Sequence, residues 1–261
     1  MLQIRPYMKA NAHLPMFARV LGVIFFIFMV SNVGGCLTPL GDPPLFLGFL
    51  NGVPFGWTLS LWKEWAFAIG MLLVIFHVWD RMLLRREAPA PVSAEDSPEE
   101  ASFGIEGKRN IFLLAGVMGA VLFQGIVRPP FGIQEAIMAA VAIVSLKITP
   151  AELRRKNRFT WGPILEVAIL FSGIFTVMVP TLEILAANGD KLGLSEPWHF
   201  FWVTGSLSSF LDNAPTYVVF DQTALAQLHF PTDVPDAFAQ LTQAGEPERL
   251  LTAISLGAVF M

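Results

Sequence analysis

Polar residues that could bind a cation interrupt two of the most apolar parts of the sequence. The first interruption, "NVGGCLTPLGDPP" at 32–44, carries the side-chain oxygens of Asn32, Thr38 and Asp42. The second, "GSLSSFLDNAPT" at 205–216, carries a matching set of residues: Ser208, Ser209, Asp212, Asn213 and Thr216. Oxygens of this kind suit a hard cation such as Na⁺. An ionised Asp in a lone membrane helix costs about 2.5–3.5 kcal/mol on insertion scales, which favours a functional role.

The composition indicates the elements that must hold these residues. The 261 residues are 54% hydrophobic and 15% charged, with a mean hydropathy of +0.58. A soluble domain is roughly 45–50% apolar and about 25% charged. Several apolar runs approach the ~20 residues that cross ~30 Å of hydrocarbon as a helix. We therefore predict an all-α polytopic membrane protein. Its single cysteine, Cys36, cannot form an intramolecular disulfide or a thiolate metal cluster.

The apolar segments fall at about 14–50, 55–79, 110–127, 131–147, 161–186, 198–220 and 250–261. The stretch 87–109 is acidic and rich in proline and alanine, which predicts a solvated linker. Basic residues flank this linker and fill the loop at 148–160, and Lys and Arg favour the cytoplasmic side of short loops. Both loops are therefore expected in the cytoplasm, in a multi-pass protein of a bacterial-type inner membrane.

The first interruption is poorly suited to a straight spanning helix. Residues 20–30 supply only about 16 Å of helix before the polar residues begin. The glycines and prolines that follow weaken or break a helix: Gly34, Gly35, Pro39, Gly41, Pro43 and Pro44. The sequence predicts a helix that unwinds near the membrane centre and resumes after Pro44. Such backbone must be buried in protein or line a cavity. The alternative is an external loop between two spans.

The second interruption predicts a re-entrant hairpin at about 198–228. Its two limbs, of ~8 and ~12 residues, are each too short to cross the membrane. Asp212, Asn213 and Thr216 would then lie at the tip. The alternative is one kinked spanning helix at 198–220, with Pro215 as the kink. Two interrupted apolar segments in different halves of a chain are typical of a transporter's binding site.

The stretches "SNVGGCLTPLGDPPLFLGFLNGVPF" and "SSFLDNAPTY" resemble the ion transporter superfamily of NhaD-type Na⁺/H⁺ antiporters, arsenite permeases and citrate transporters. The resemblance is strongest to the branch of citrate transporters or sodium:proton antiporters. It implies an inverted-repeat secondary transporter, in which each repeat has a re-entrant hairpin followed by a broken helix. On this template the chain is an internal fragment, truncated at both ends. Residues 1–86 hold part of the first repeat, with the broken helix at 32–44, and 110–261 hold part of the second.

The resemblance also implies roles for the polar residues. Asn32, Thr38 and Asp42 take the roles of the unwound loop. The hairpin-tip roles fall to Ser208, Ser209, Asp212, Asn213 and Thr216. Asp42 and Asp212 would hold Na⁺. Two carboxylates repel an anionic substrate on its own but suit Na⁺, H⁺ or metal-complexed citrate. We therefore predict Na⁺/H⁺ antiport by alternating access, with Na⁺- or H⁺-coupled transport of citrate or a related carboxylate as the alternative.

The sequence predicts no enzyme, because it contains no HExxH, no GxSxG and no phosphate-binding glycine loop. The expected partners are the lipid bilayer, a small cation and, in the alternative, citrate. No cofactor and no nucleic acid are expected, since Na⁺ and H⁺ are transported or coupling ions. A homodimer is implied by the resemblance, because relatives of this fold often dimerise.

Overall fold

The structure, a computed structural model, describes residues 16–84, 107, 109–127, 129–130 and 132–260. Every regular element within these ranges is helical. The α-helices, in chain order, are α1 (Met16–Ile27), α2 (Pro43–Leu50), α3 (Trp62–Leu84), α4 (Arg109–Val127), α5 (Ile133–Ile148), α6 (Ala151–Lys156), α7 (Gly162–Asn188), α8 (Pro197–Ser208), α9 (Asn213–Gln227) and α10 (Glu246–Phe260). The predicted all-α fold class is confirmed. Most of the predicted linker at 87–109 lies outside the described residues.

Among the described residues, three helical stretches are long and apolar enough to cross a membrane. They are Phe55–Met82 with 28 residues, Arg109–Val127 with 19 and Gly162–Leu192 with 31. Their outward faces expose large apolar side chains, such as Phe67 at 72% and Phe112 at 80%. Exposed apolar surface on this scale would be unfavourable in water and is ordinary in lipid. Together with the composition, these helices identify a membrane-embedded protein, while its orientation in the membrane stays a prediction.

The chain divides into two compact units. The first is formed by the described residues within 16–21 and 78–162, and within it α4 packs against α5. Asn110 ties the start of α4 to the end of α5. Its Oδ1 accepts a hydrogen bond from the Thr149 hydroxyl at 3.1 Å and another from the Ser145 hydroxyl at 3.4 Å. The predicted repeat boundaries remain a prediction.

The second unit is formed by Gly22–His77 with Pro163–Met261 and contains both predicted interruptions. Its core is built from α2, α8, α9 and α10. The backbones of α8 and α10 approach closely, because a methyl group added at Gly257 would lie 2.6 Å from the Phe201 carbonyl oxygen. Small residues permit this kind of close packing between membrane helices. Helix α9 lies in the middle of the core, with most of its residues buried.

The helical geometry is interrupted between α1 and α2. A π-helical turn, Phe28–Asn32, is followed by a 3₁₀ helix, Val33–Leu37, and the chain is extended at Thr38. The Leu37 carbonyl, released from helical bonding, accepts a hydrogen bond from the Thr58 hydroxyl at 3.0 Å. Thr58 belongs to the 3₁₀ helix Phe55–Leu61; two more such helices span Gly189–Leu192 and Ala237–Thr242. The protein thus satisfies this carbonyl of the interrupted backbone with one of its own side chains. Non-helical backbone inside a membrane must have its polar groups satisfied in this way.

Two glycines bring the ends of this interruption into contact. A methyl group added at Gly41 would lie 2.5 Å from the Gly35 carbonyl oxygen and 2.6 Å from its Cα. Real Cβ atoms do not occupy such positions, so the two backbone segments can approach only because both residues lack a side chain. This contact closes the break into a compact loop.

Substitution of Gly41 by alanine should therefore destabilise the protein by about 1–3 kcal/mol, the usual cost of overpacking. The expected result is a lower thermal unfolding midpoint in detergent, followed by tryptophan fluorescence. Gly70→Ala is the matched control, since nothing lies within 4 Å of the added methyl group on α3. That variant should unfold at or above the wild-type midpoint. Equal midpoints for the two variants would show that the glycine contact does not constrain the loop.

Candidate ion-binding site

Asp42 lies at the end of the first interruption and is 4% exposed. It occupies the N-cap position of α2, where a carboxylate normally accepts hydrogen bonds from backbone N–H groups of the first turn. Pro43 and Pro44 fill the first two helical positions and have no N–H to donate. The Asp42 side chain makes no capping bond, and its Oδ2 atom is buried without a hydrogen-bond partner. Pro44 thus removes one of the two usual capping donors, Leu45 N–H makes no bond to the side chain, and one buried carboxylate oxygen is left unsatisfied.

The other residues predicted in this interruption precede Asp42 in the sequence. Asn32 closes the π-helical turn and is half-buried. Thr38 is also half-buried, and its backbone carbonyl accepts a hydrogen bond from Gly41 N at 3.0 Å. Cys36 is fully buried and lies within electrostatic range of the Asp42 carboxyl. Thr38 and Asp42 therefore share one tight loop, and Asn32 is the last residue of the π-helical turn that precedes it.

The second interruption forms a turn between α8 and α9. Asp212 is exposed and caps α9, because its Oδ1 accepts a hydrogen bond from Ala214 N at 3.1 Å. The backbone carbonyl of Asp212 accepts one from the Thr216 hydroxyl at 2.8 Å. The hydroxyls of Ser208 and Ser209 both donate to the Gly205 carbonyl, at 3.4 and 2.9 Å. These bonds use the polar groups to end one helix and begin the next.

Asn213 is the first residue of α9 and is half-buried. The structure therefore gathers the five predicted hairpin residues into one turn, with Asp212 on its exposed side. In this arrangement the Asp212 carboxylate has a structural role as a helix cap. Its role as an ion ligand stays a prediction.

The two interruptions meet through α2 and α9, which pack against each other. They approach closely at Gly48 and Tyr217, since a methyl group added at Gly48 would lie 2.6 Å from the tyrosine hydroxyl oxygen. Tyr217 is fully buried and within electrostatic range of Asp42. The connection described by the structure thus runs from Asp42 through Tyr217 into the second limb of the hairpin.

Asp221 is a buried acid that the sequence reading missed. It is 0% exposed, and neither of its carboxylate oxygens has a hydrogen-bond partner. It follows Tyr217 by one helical turn, so the two side chains share a face of α9. The signal was available in "YVVFDQTALAQL", where one acid interrupts an otherwise apolar and neutral stretch. An ionisable residue inside a membrane segment is by default a candidate functional residue.

A family described as putative citrate transport matches the chain over residues 1–261. The match therefore includes both interruptions and the helices that carry them. No curated protein and no solved structure matches the chain.

The capping role of Asp212 can be separated from its charge. Asp212→Ala removes the cap and should cost about 1 kcal/mol, or roughly fivefold in the equilibrium that frays the first turn of α9. Asp212→Ser removes the charge but keeps an oxygen able to cap. Hydrogen–deuterium exchange of a peptide covering 209–220 should therefore be faster in the alanine variant and close to wild type in the serine variant. Equal exchange in all three proteins would contradict the capping role.

Proposed function

The chain belongs to the family described as putative citrate transport, and from this membership we propose a secondary transporter that carries a citrate-type carboxylate together with a cation. Asp42 provides part of the cation site in this proposal. Asn32 and Thr38 supply further oxygens from the same interruption. The hairpin turn, with Ser208, Ser209, Asp212, Asn213 and Thr216, provides the opposite wall and the helix N-terminus that attracts a carboxylate.

The observation that carries the proposal is the buried, unsatisfied Oδ2 atom of Asp42. A buried carboxylate is unfavourable by several kcal/mol unless a charge or a set of donors compensates it. Pro44 removes one of the two donors that α2 would otherwise present, and the side chain makes no bond to the other. A dehydrated cation bound to the carboxylate would supply the missing compensating charge. The site therefore holds a cation more readily than it holds a bare anion.

The same charge explains coupling between cation and citrate. Citrate is a multiply charged anion, so an ionised Asp42 repels it while the cation site is empty. A bound cation removes this repulsion, and citrate in return raises the affinity for the cation by the same factor, because linkage is reciprocal. Obligatory pairing of the two solutes then gives cotransport by alternating access.

Na⁺/H⁺ antiport is the second candidate function. It is favoured by the presence of two buried acids, Asp42 and Asp221, in the same unit. A carboxylate that holds either Na⁺ or H⁺, and not both, exchanges the two ions when it is exposed to each side in turn. This mechanism requires no anionic substrate. It does not account for the transport of citrate that the family description suggests.

The experiment that tests the proposal is uptake of radiolabelled citrate into proteoliposomes, with an inward Na⁺ gradient or with choline. We expect Na⁺ to stimulate citrate uptake by the wild-type protein. Asp42→Asn keeps the size of the side chain and removes its charge, so Na⁺ stimulation should fall at least about tenfold, which corresponds to about 1.4 kcal/mol. Asp190→Asn, at an exposed acid, is the matched control and should transport as the wild type does.

Two outcomes would overturn the citrate proposal. Undiminished Na⁺ stimulation in Asp42→Asn would remove Asp42 from the coupling site. Absence of citrate uptake, combined with Na⁺-driven changes in the internal pH of the same vesicles, would identify antiport instead.

A further inference from the structure

Three buried hydroxyl and carboxyl groups face each other in the core of the second unit. Asp221 and Tyr217 come from α9, and Ser255 comes from α10. Each is 0% exposed. The tyrosine hydroxyl lies in the immediate electrostatic environment of both the Asp221 carboxyl and the Ser255 hydroxyl. Yet the Asp221 oxygens, the Tyr217 hydroxyl and the Ser255 hydroxyl all lack a hydrogen bond of acceptable geometry.

No positive charge compensates the carboxyl group of Asp221, since no Lys or Arg of the described residues acts on it. Its polar neighbour is the Tyr217 hydroxyl, which also interacts with Ser255. A hydroxyl has one hydrogen to donate, so Tyr217 can satisfy at most one of the two Asp221 oxygens. In a close-packed interior, buried polar groups nearly always find partners. Several unsatisfied oxygens in one cluster therefore point to a missing ligand rather than to a packing defect.

We propose that Asp221, Tyr217 and Ser255 form a second binding site, for a dehydrated monovalent cation such as Na⁺. The proposal rests on the cation coupling put forward above and adds a site distinct from Asp42. The donor set contains only oxygen, the ligand atom that hard cations prefer. Oxygens held about 2.4 Å from a shared cation at right angles lie roughly 3.4 Å apart, beyond the 2.7–2.8 Å typical of O–H···O bonds. Neighbouring oxygens that fail to bond with each other fit this geometry.

Tyr217 connects the second site to the first. Its hydroxyl packs directly on the backbone of α2 at Gly48, and its electrostatic environment includes Asp42 as well as Asp221. A cation on the Asp221 carboxylate fixes the tyrosine hydroxyl against α2, the helix that begins at Asp42. Occupation of the second site thus stabilises the contact between the two interrupted segments. A ligand that binds only the folded state also raises its apparent stability.

The test measures ²²Na⁺ binding to the purified full chain in detergent by equilibrium dialysis, with the Na⁺-dependent shift in the thermal unfolding midpoint as a second readout. Asp221→Asn should lower the affinity of one Na⁺ site at least about tenfold and reduce the midpoint shift. Tyr217→Phe and Ser255→Ala, which each delete one oxygen, should weaken that site several-fold. Thr223→Val is the matched control. Its buried hydroxyl donates to the Val219 carbonyl on the same helix and lies outside the cluster.

Asp42→Asn separates this inference from the proposed function. It should remove one Na⁺ site and leave the Asp221 site occupied, whereas Asp221→Asn should do the reverse. Wild-type Na⁺ binding in Asp221→Asn and in the two oxygen-deletion variants would overturn the second site, whatever the result of citrate transport. If Asp221→Asn does not fold, Tyr217→Phe and Ser255→Ala decide the question. A midpoint that depends on pH and not on Na⁺ would assign the cluster to a proton and also overturn the proposal.

Discussion

Backbone donors are missing at the point where the first interruption meets α2. Pro44 occupies one of the two positions whose N–H groups normally bond to the N-cap side chain, and the Asp42 side chain makes no capping bond to the other, Leu45. A helix N-terminus still attracts negative charge, but here no N–H of the first turn bonds to the carboxylate. The surrounding structure follows from this constraint. The glycine contact between 35 and 41 closes the loop, Thr58 satisfies the Leu37 carbonyl, and one oxygen of the buried acid is left without a hydrogen bond.

The packing of the second unit places α2, which begins after Asp42, against the second limb of the hairpin, α9. Helices α8 and α10 approach closely at Gly257, and α9 is enclosed with α2 against it. Tyr217 lies at the resulting junction, in contact with Gly48 and near both buried acids. The first interruption and the second limb of the hairpin are therefore joined by the packing of α2 against α9, with Tyr217 at the contact. A movement of α9 relative to α2 would change the environment of both acids together.

The apolar pattern of the sequence was sufficient to predict much of this architecture. A run of about 20 apolar residues has few structural alternatives, so the long spans were readily located. Prolines and glycines likewise marked the interruption that ends at Pro43, and the turn between α8 and α9 coincides with the polar stretch "SSFLD". The role of Asp212 was harder to predict from the sequence, because a carboxylate at this position can cap a helix or bind an ion. Asp221 was missed because its burial depends on α2 and α10, which are distant in sequence and meet it only in the folded chain.

Helix α9 also bears on how the protein enters the membrane. It contains Asp221, Gln222 and Thr223 in succession, all buried, and its first turns add Thr216 and Tyr217. A segment with this many polar groups, including an acid that costs about 2.5–3.5 kcal/mol on insertion scales, partitions poorly into lipid when alone. Its burial depends on α2, α8 and α10, which all pack against it. We therefore expect α9 to reach its buried position only once α10 is present to pack against it, which would make the burial of α9 a late and cooperative step in biogenesis.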